Sequence, residues 1–140
     1  MDKKLRIMKK IFGTIVLLLA VMASVASCGD EPDGKWEKMK WNDLSGLTKE
    51  DGIYIVPATG GTYTFECKNY NPWIDHCNSD YNDEVVSSYT HVYNEWFDVL
   101  CNNKNVIVTI APLTSTSARQ LTVELTAGDI FDSFKFEQRP

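Results

Sequence analysis

The chain has 140 residues, 44% hydrophobic and 24% charged, with 19 acidic against 14 basic residues and a net charge of −5. An excess of acid this large argues against nucleic acid as a partner, because phosphate backbones reward clusters of Lys and Arg. It also removes electrostatic attraction to anionic lipid, so any hold on a membrane must come from apolar groups.

In chain order, the first element is a targeting segment. Lys3, Lys4, Arg6, Lys9 and Lys10 make a basic start, and the run from Ile11 to Ser27 carries no charge and is rich in Ile, Val, Leu and Ala. It closes on Val25-Ala26-Ser27-Cys28, the small-residue exit of a secretory signal. The run is just long enough to be weighed as an uncleaved membrane helix, but Gly13, Thr14, Ser24 and the terminal cysteine suit cleavage better. With the cysteine in place the stretch resembles the bacterial lipoprotein signal. That resemblance implies cleavage after residue 27, a diacylglycerol on the Cys28 thiol and usually an acylated new amino terminus, as with palmitate. Each buried methylene contributes about 0.8 kcal/mol, so two or three acyl chains would anchor the protein firmly.

Loss of residues 1–27 leaves 113 residues, 9 basic and 18 acidic, with a net charge of −9. That is one domain, large enough to bury a core without metals or bridges. Export places it where disulfides persist. Cys67, Cys77 and Cys101 then remain, enough for one bridge in any of three pairings.

Residues 28–35 (Cys-Gly-Asp-Glu-Pro-Asp-Gly-Lys) have nothing apolar to bury and predict a flexible acidic tether. The acidic cluster resembles the export signal of surface lipoproteins in the Bacteroidetes. It implies an outer-membrane protein exposed at the cell surface, with a periplasm-facing position as the alternative.

From residue 36 to residue 140 the pattern is strands separated by turns. Ile53 to Val56 is stopped by Pro57, Gly60-Gly61 turns the chain, and Tyr63, Phe65 and Cys67 then alternate with Thr62, Thr64 and Glu66. Period two recurs at Trp96 to Cys101, Val106 to Ile110, Leu121 to Leu125 and Phe134 to Gln138, with a weaker candidate at Trp36 to Trp41. No sustained helical stripe appears, so the expectation is an all-β sandwich of about seven strands. The segment Asn69 to Glu95 breaks the rhythm and predicts a long functional loop holding one or two short strands, Trp73-Ile74-Asp75 the best candidate.

Val56-Pro57-Ala58-Thr59-Gly60-Gly61-Thr62-Tyr63-Thr64-Phe65, then Asn71-Pro72-Trp73-Ile74, then Ala118-Arg119-Gln120-Leu121-Thr122-Val123 and a last strand ending in Gln138 together resemble the BACON domain. This is a Bacteroidetes-associated, often N-terminal module of immunoglobulin-like fold, commonly attached to glycan-degrading enzymes. The resemblance runs from about Ile53 to Gln138 and implies carbohydrate binding or adhesion. Two features depart from it: the elaborate Asn69 to Glu95 stretch, and the absence of a catalytic domain before the chain stops at Pro140.

Trp73 is expected in the core, where a large aromatic just inside a sandwich usually belongs. Tyr81, Tyr89, Tyr93 and Trp96, set among polar residues, are the candidate platforms for a sugar ring, with Trp36 and Trp41 near the tether. Asn82 and Asp83, among other amides and acids of the segment, would meet its hydroxyls. The competing reading is that these aromatics pack the loop onto the sandwich. His76, Cys77 and His91 lack paired ligand spacing. Asn78 to Asp83 copies the start of a calcium loop, but Asp83 replaces its glycine and Tyr89 its closing Glu. No metal, cofactor or catalytic residue is therefore expected. The sequence reads as a noncatalytic, lipid-anchored binding module with a glycan as the favoured ligand; the alternative is a structural or interaction subunit with an outer-membrane protein partner.

Overall fold

Alternating apolar and polar side chains give an extended chain two unlike faces, and two such surfaces bury their apolar sides against each other. The computed structural model describes residues 36–80 and 86–140. Those residues form eleven strands and no helix: β1 (Trp41–Asp43), β2 (Thr48–Glu50), β3 (Ile53–Val56), β4 (Gly61–Cys67), β5 (Trp73–Ser79), β6 (Val86–Ser87), β7 (His91–Tyr93), β8 (Phe97–Asn102), β9 (Asn105–Ile110), β10 (Arg119–Thr126) and β11 (Phe131–Gln138). The unit they build extends from Glu37 to Pro140. Cys28 and the tether lie outside the described residues.

One sheet has the order β1-β4-β9-β8-β7-β6 and the other β2-β3-β11-β10-β5. The chain is thus an all-β sandwich. Neighbours run antiparallel except β3, which lies parallel to β11. Eleven strands exceed the expected seven or so; seven have four or more residues, while β1, β2, β6 and β7 have two or three and gather at the sheet margins. Of the weak candidate Trp36 to Trp41, only Trp41 is in a strand.

Alternation fills the core as the sequence predicts. Tyr63 and Phe65 from β4, Val99 and Cys101 from β8, Val106 and Val108 from β9, Leu121 and Val123 from β10, and Phe134 and Phe136 from β11 are all buried. Phe65 stacks on Phe134 with ring centroids 4.4 Å apart, and Tyr54 lies 5.5 Å from Phe136. Each such side chain contributes roughly 1.5–3 kcal/mol on burial.

Pro57, Ala58, Ala111, Arg119 and Gln138 meet at one end of the sandwich. Gln138, 1% exposed, donates from Nε2 to the carbonyls of Pro57 (3.1 Å), Ala58 (3.3 Å) and Ala111 (2.9 Å). Its Oε1 accepts from Arg119 Nε at 2.7 Å, and the Arg119 guanidinium also donates to the Ala111 carbonyl at 2.8 Å. Gly60 completes the turn at φ 69°, where a β-carbon would collide with the Ile110 carbonyl oxygen.

The segment Asn69 to Glu95 holds more strand than the one or two short strands expected, with Trp73-Ile74-Asp75 inside the first of them. It contributes a seven-residue edge strand, β5, to the second sheet and β6 and β7 to the first. Trp73 is a correction, being 39% exposed, while Ile74 takes the core position at 1%. The register of β5 against β10 shifts between Glu124 and Leu125. This bulge lets Ile74 and Cys77, three residues apart, both turn inward.

Candidate functional site

Where β5 closes one sheet and β6 and β7 close the other, the two margins bound a groove of about 530 Å³. Ile74, Val92 and Cys77 supply its apolar lining; Asp75, His76, Ser87 and Ser88 supply polar groups; Tyr89 stands beside them, 75% exposed. The turn that presents Tyr89 is held by Ser88, whose hydroxyl accepts from the His91 N–H at 3.0 Å. The Tyr89 carbonyl in turn accepts from the Ile74 N–H at 2.7 Å, joining the turn to β5.

The groove's chemistry suits binding. His76 Nδ1 lies 2.7 Å from Asp75 Oδ2, so this imidazole is engaged by a carboxylate at the groove's margin. Burial pushes the Cys77 thiol up to about 12, with the Cys101 thiol and Glu124 adding to the rise. At neutral pH it is a neutral, apolar lining group rather than a thiolate nucleophile. Among the described residues no three His, Cys, Asp or Glu side chains gather as a metal site would require.

Beside the groove, exposed aromatics continue across the sheet. Trp73 on β5 is in register with Thr126 on β10, and Thr126 with Phe131 on β11. Partners in register point to one face, and Leu125, next to Thr126, points into the core. Trp73 and Phe131 therefore share the outer face, two strand spacings or about 9.6 Å apart. Phe131 is 66% exposed, whereas Thr126 between the two rings is 5% exposed and donates its hydroxyl to the Gly128 carbonyl at 2.7 Å. Tyr89 stands near this pair at the groove, its carbonyl accepting from the N–H of Ile74, which follows Trp73.

The structure disperses the residues predicted for a site. Tyr89 is on the groove. Tyr93, 39% exposed, lies on the outer face of the six-stranded sheet, because its neighbour Val92 points inward; its ring lies 4.7 Å from that of His91. Trp96 is a correction: it is 7% exposed, packed on Phe97 and covered by the Arg119 guanidinium at 4.3 Å. Asn94 explains this, since its side-chain oxygen accepts from the N–H groups of both Trp96 and Phe97 at 2.9 Å and turns the chain inward. Tyr81, Asn82 and Asp83 lie outside the described residues. Trp36 is exposed, and Trp41 is partly buried with its Nε1 donating to Asp132 at 2.8 Å. Sequence reasoning missed Phe131, whose signal was an aromatic two residues after the Gly128-Asp129 turn.

No family model matches the chain, and no curated protein does. Among solved structures, the NMR structure of a protein from Bacteroides thetaiotaomicron is similar, with a TM-score of 0.67 and 32% sequence identity over 79% of this chain and 94% of that one. With that identity over nearly the whole of its relative, the chain belongs to the same family as this Bacteroides protein.

Proposed function

We propose that this protein is a noncatalytic lipoprotein, anchored through Cys28 in the outer membrane and displayed at the cell surface, whose immunoglobulin-like domain binds a glycan. The observation that carries the reading is the group of exposed rings, Tyr89, Trp73 and Phe131, at the β5 margin. Sugar rings present apolar C–H faces that lie flat on aromatic rings, and their hydroxyls need polar groups alongside. Asp75, His76, Ser87 and Ser88 supply those in the adjoining groove. The acidic domain favours neutral over anionic polysaccharides. The likeness of residues 53–138 to BACON domains supports the same reading.

A panel of neutral and anionic polysaccharides, titrated calorimetrically into the full-length protein in detergent, tests this. At least one neutral glycan should bind, and Trp73→Ala should weaken it about tenfold, the loss expected when one anchoring aromatic is removed. Absence of binding across the panel, or binding untouched by Trp73→Ala, Phe131→Ala and Tyr89→Ala, counts against the proposal.

One observation favours a protein partner instead. β5 and β6 are edge strands flanking the groove, and an edge strand is a template for an added strand. Crosslinking on intact cells separates the readings, since a stable protein adduct is expected only from the second.

A further inference from the structure

The three described cysteines are thiols in two different settings. Cys67 is fully buried in a small cluster with Met39 and Ile130, its Sγ 3.5 Å from Asn69 Oδ1. Cys77 and Cys101 belong to the large core and reach it from opposite sheets, Cys77 from β5 opposite Val123 and Cys101 from β8 opposite Val106. Their strands are drawn together by two consecutive carbonyls: Tyr89 accepts from the Ile74 N–H at 2.7 Å and Thr90 from the Cys101 N–H at 2.8 Å. We infer that Cys77 and Cys101 form an inter-sheet disulfide in the exported protein, and that Cys67 stays free.

The electrostatics agree with this proximity, since the Cys101 thiol helps raise Cys77. Burial also pushes Cys101 up to about 12. Thiols held that high are almost wholly protonated at neutral pH and react slowly once folded. The bridge therefore forms during folding, by exchange with a disulfide-bearing oxidant such as oxidised glutathione or an exported oxidoreductase. One thiolate attacks the oxidant to give a mixed disulfide, the second displaces it, and the oxidant leaves as two thiols carrying both protons. Cys77, which lines the groove, offers an oxidant a route even in the folded protein.

Full-length protein isolated without reductant, denatured in alkylating reagent and digested, should show Cys67 alkylated and the Cys77 and Cys101 peptides linked, lighter by two hydrogen atoms. Refolding the reduced protein with oxidised glutathione should restore the same link in wild type and in Cys67→Ala, and no link in Cys77→Ser. Because the bridge closes a loop of about 25 residues, its reduction should lower the folding constant on the order of 10²–10³-fold. Three alkylated cysteines, or a link through Cys67, overturn the inference. Mapping the wild-type protein decides this even if a variant fails to fold.

Discussion

Replacing Gln138 probes whether the end of the sandwich is held by donors or by packing alone. Its amide has two N–H groups shared among three carbonyls, and its oxygen takes the Arg119 Nε–H. In Gln138→Ala the charged Arg119 donor loses this acceptor, worth about 1.5–3 kcal/mol, and the carbonyls of Pro57, Ala58 and Ala111 lose a common donor, worth about 1–3 kcal/mol when they stay buried. Ala58 and Ala111 are only partly buried, so water offsets some of this and the expected loss is about 3 kcal/mol. For a domain of this size that is a large share of a total near 5–15 kcal/mol and lowers Tm by about 10–20 °C. Gln138→Glu sharpens the test, because it keeps the volume and an acceptor for Arg119 but sets a carboxylate against three carbonyl oxygens. Urea denaturation followed by tryptophan fluorescence reads both variants, with Trp96 reporting from under the Arg119 guanidinium. Equal loss in both supports the donor account. A Glu variant as stable as wild type, with only Ala destabilised, refutes it.

Gly60→Ala should cost about 2–3 kcal/mol by the same assay, since a side chain at φ 69° meets the Ile110 carbonyl; a change below about 0.5 kcal/mol contradicts the turn as described. Tyr54 sets an alkaline limit: burial, then its hydrogen bond to Asp43 at 3.1 Å, pushes its hydroxyl from 10.0 up to about 12. The folded state thus holds this proton more tightly, so its contribution is complete below pH 10 and is lost as pH rises towards 12. Tyr54→Phe should remove that part of the decline in a pH series of urea midpoints, and an unchanged slope sinks the assignment. Cys28→Ala should abolish incorporation of labelled fatty acid, and labelling that survives removes the lipoprotein reading.

The central strands were legible because period-two alternation is strongest where one face is buried. Tyr63, Phe65, Val106, Val108, Leu121 and Val123 all point inward as the pattern requires. β2 escaped because Thr48, Lys49 and Glu50 are all exposed and carry no apolar signal. Its trace was Asp51-Gly52, both at positive φ, a two-residue hairpin turn before Ile53. β5 shows in the sequence only as the short candidate Trp73-Ile74-Asp75, because only Ile74 and Cys77 face the core and a bulge separates them from simple alternation. That bulge also turned Trp73 outward. Trp96 went the other way, its polar neighbour Asn94 serving to turn the chain rather than to mark a surface. For the candidate site, Tyr89 was legible as an aromatic in a polar segment. Its proximity to Trp73 and Phe131 depends on long-range register, which no local pattern encodes.

The aromatic group at the β5 margin is tested most directly by the four indole N–H resonances in an NMR titration of the full-length protein with the neutral glycan that binds best. The account predicts that the Trp73 signal shifts with ligand while that of buried Trp96 stays in place. A titration that saturates without moving Trp73 contradicts it.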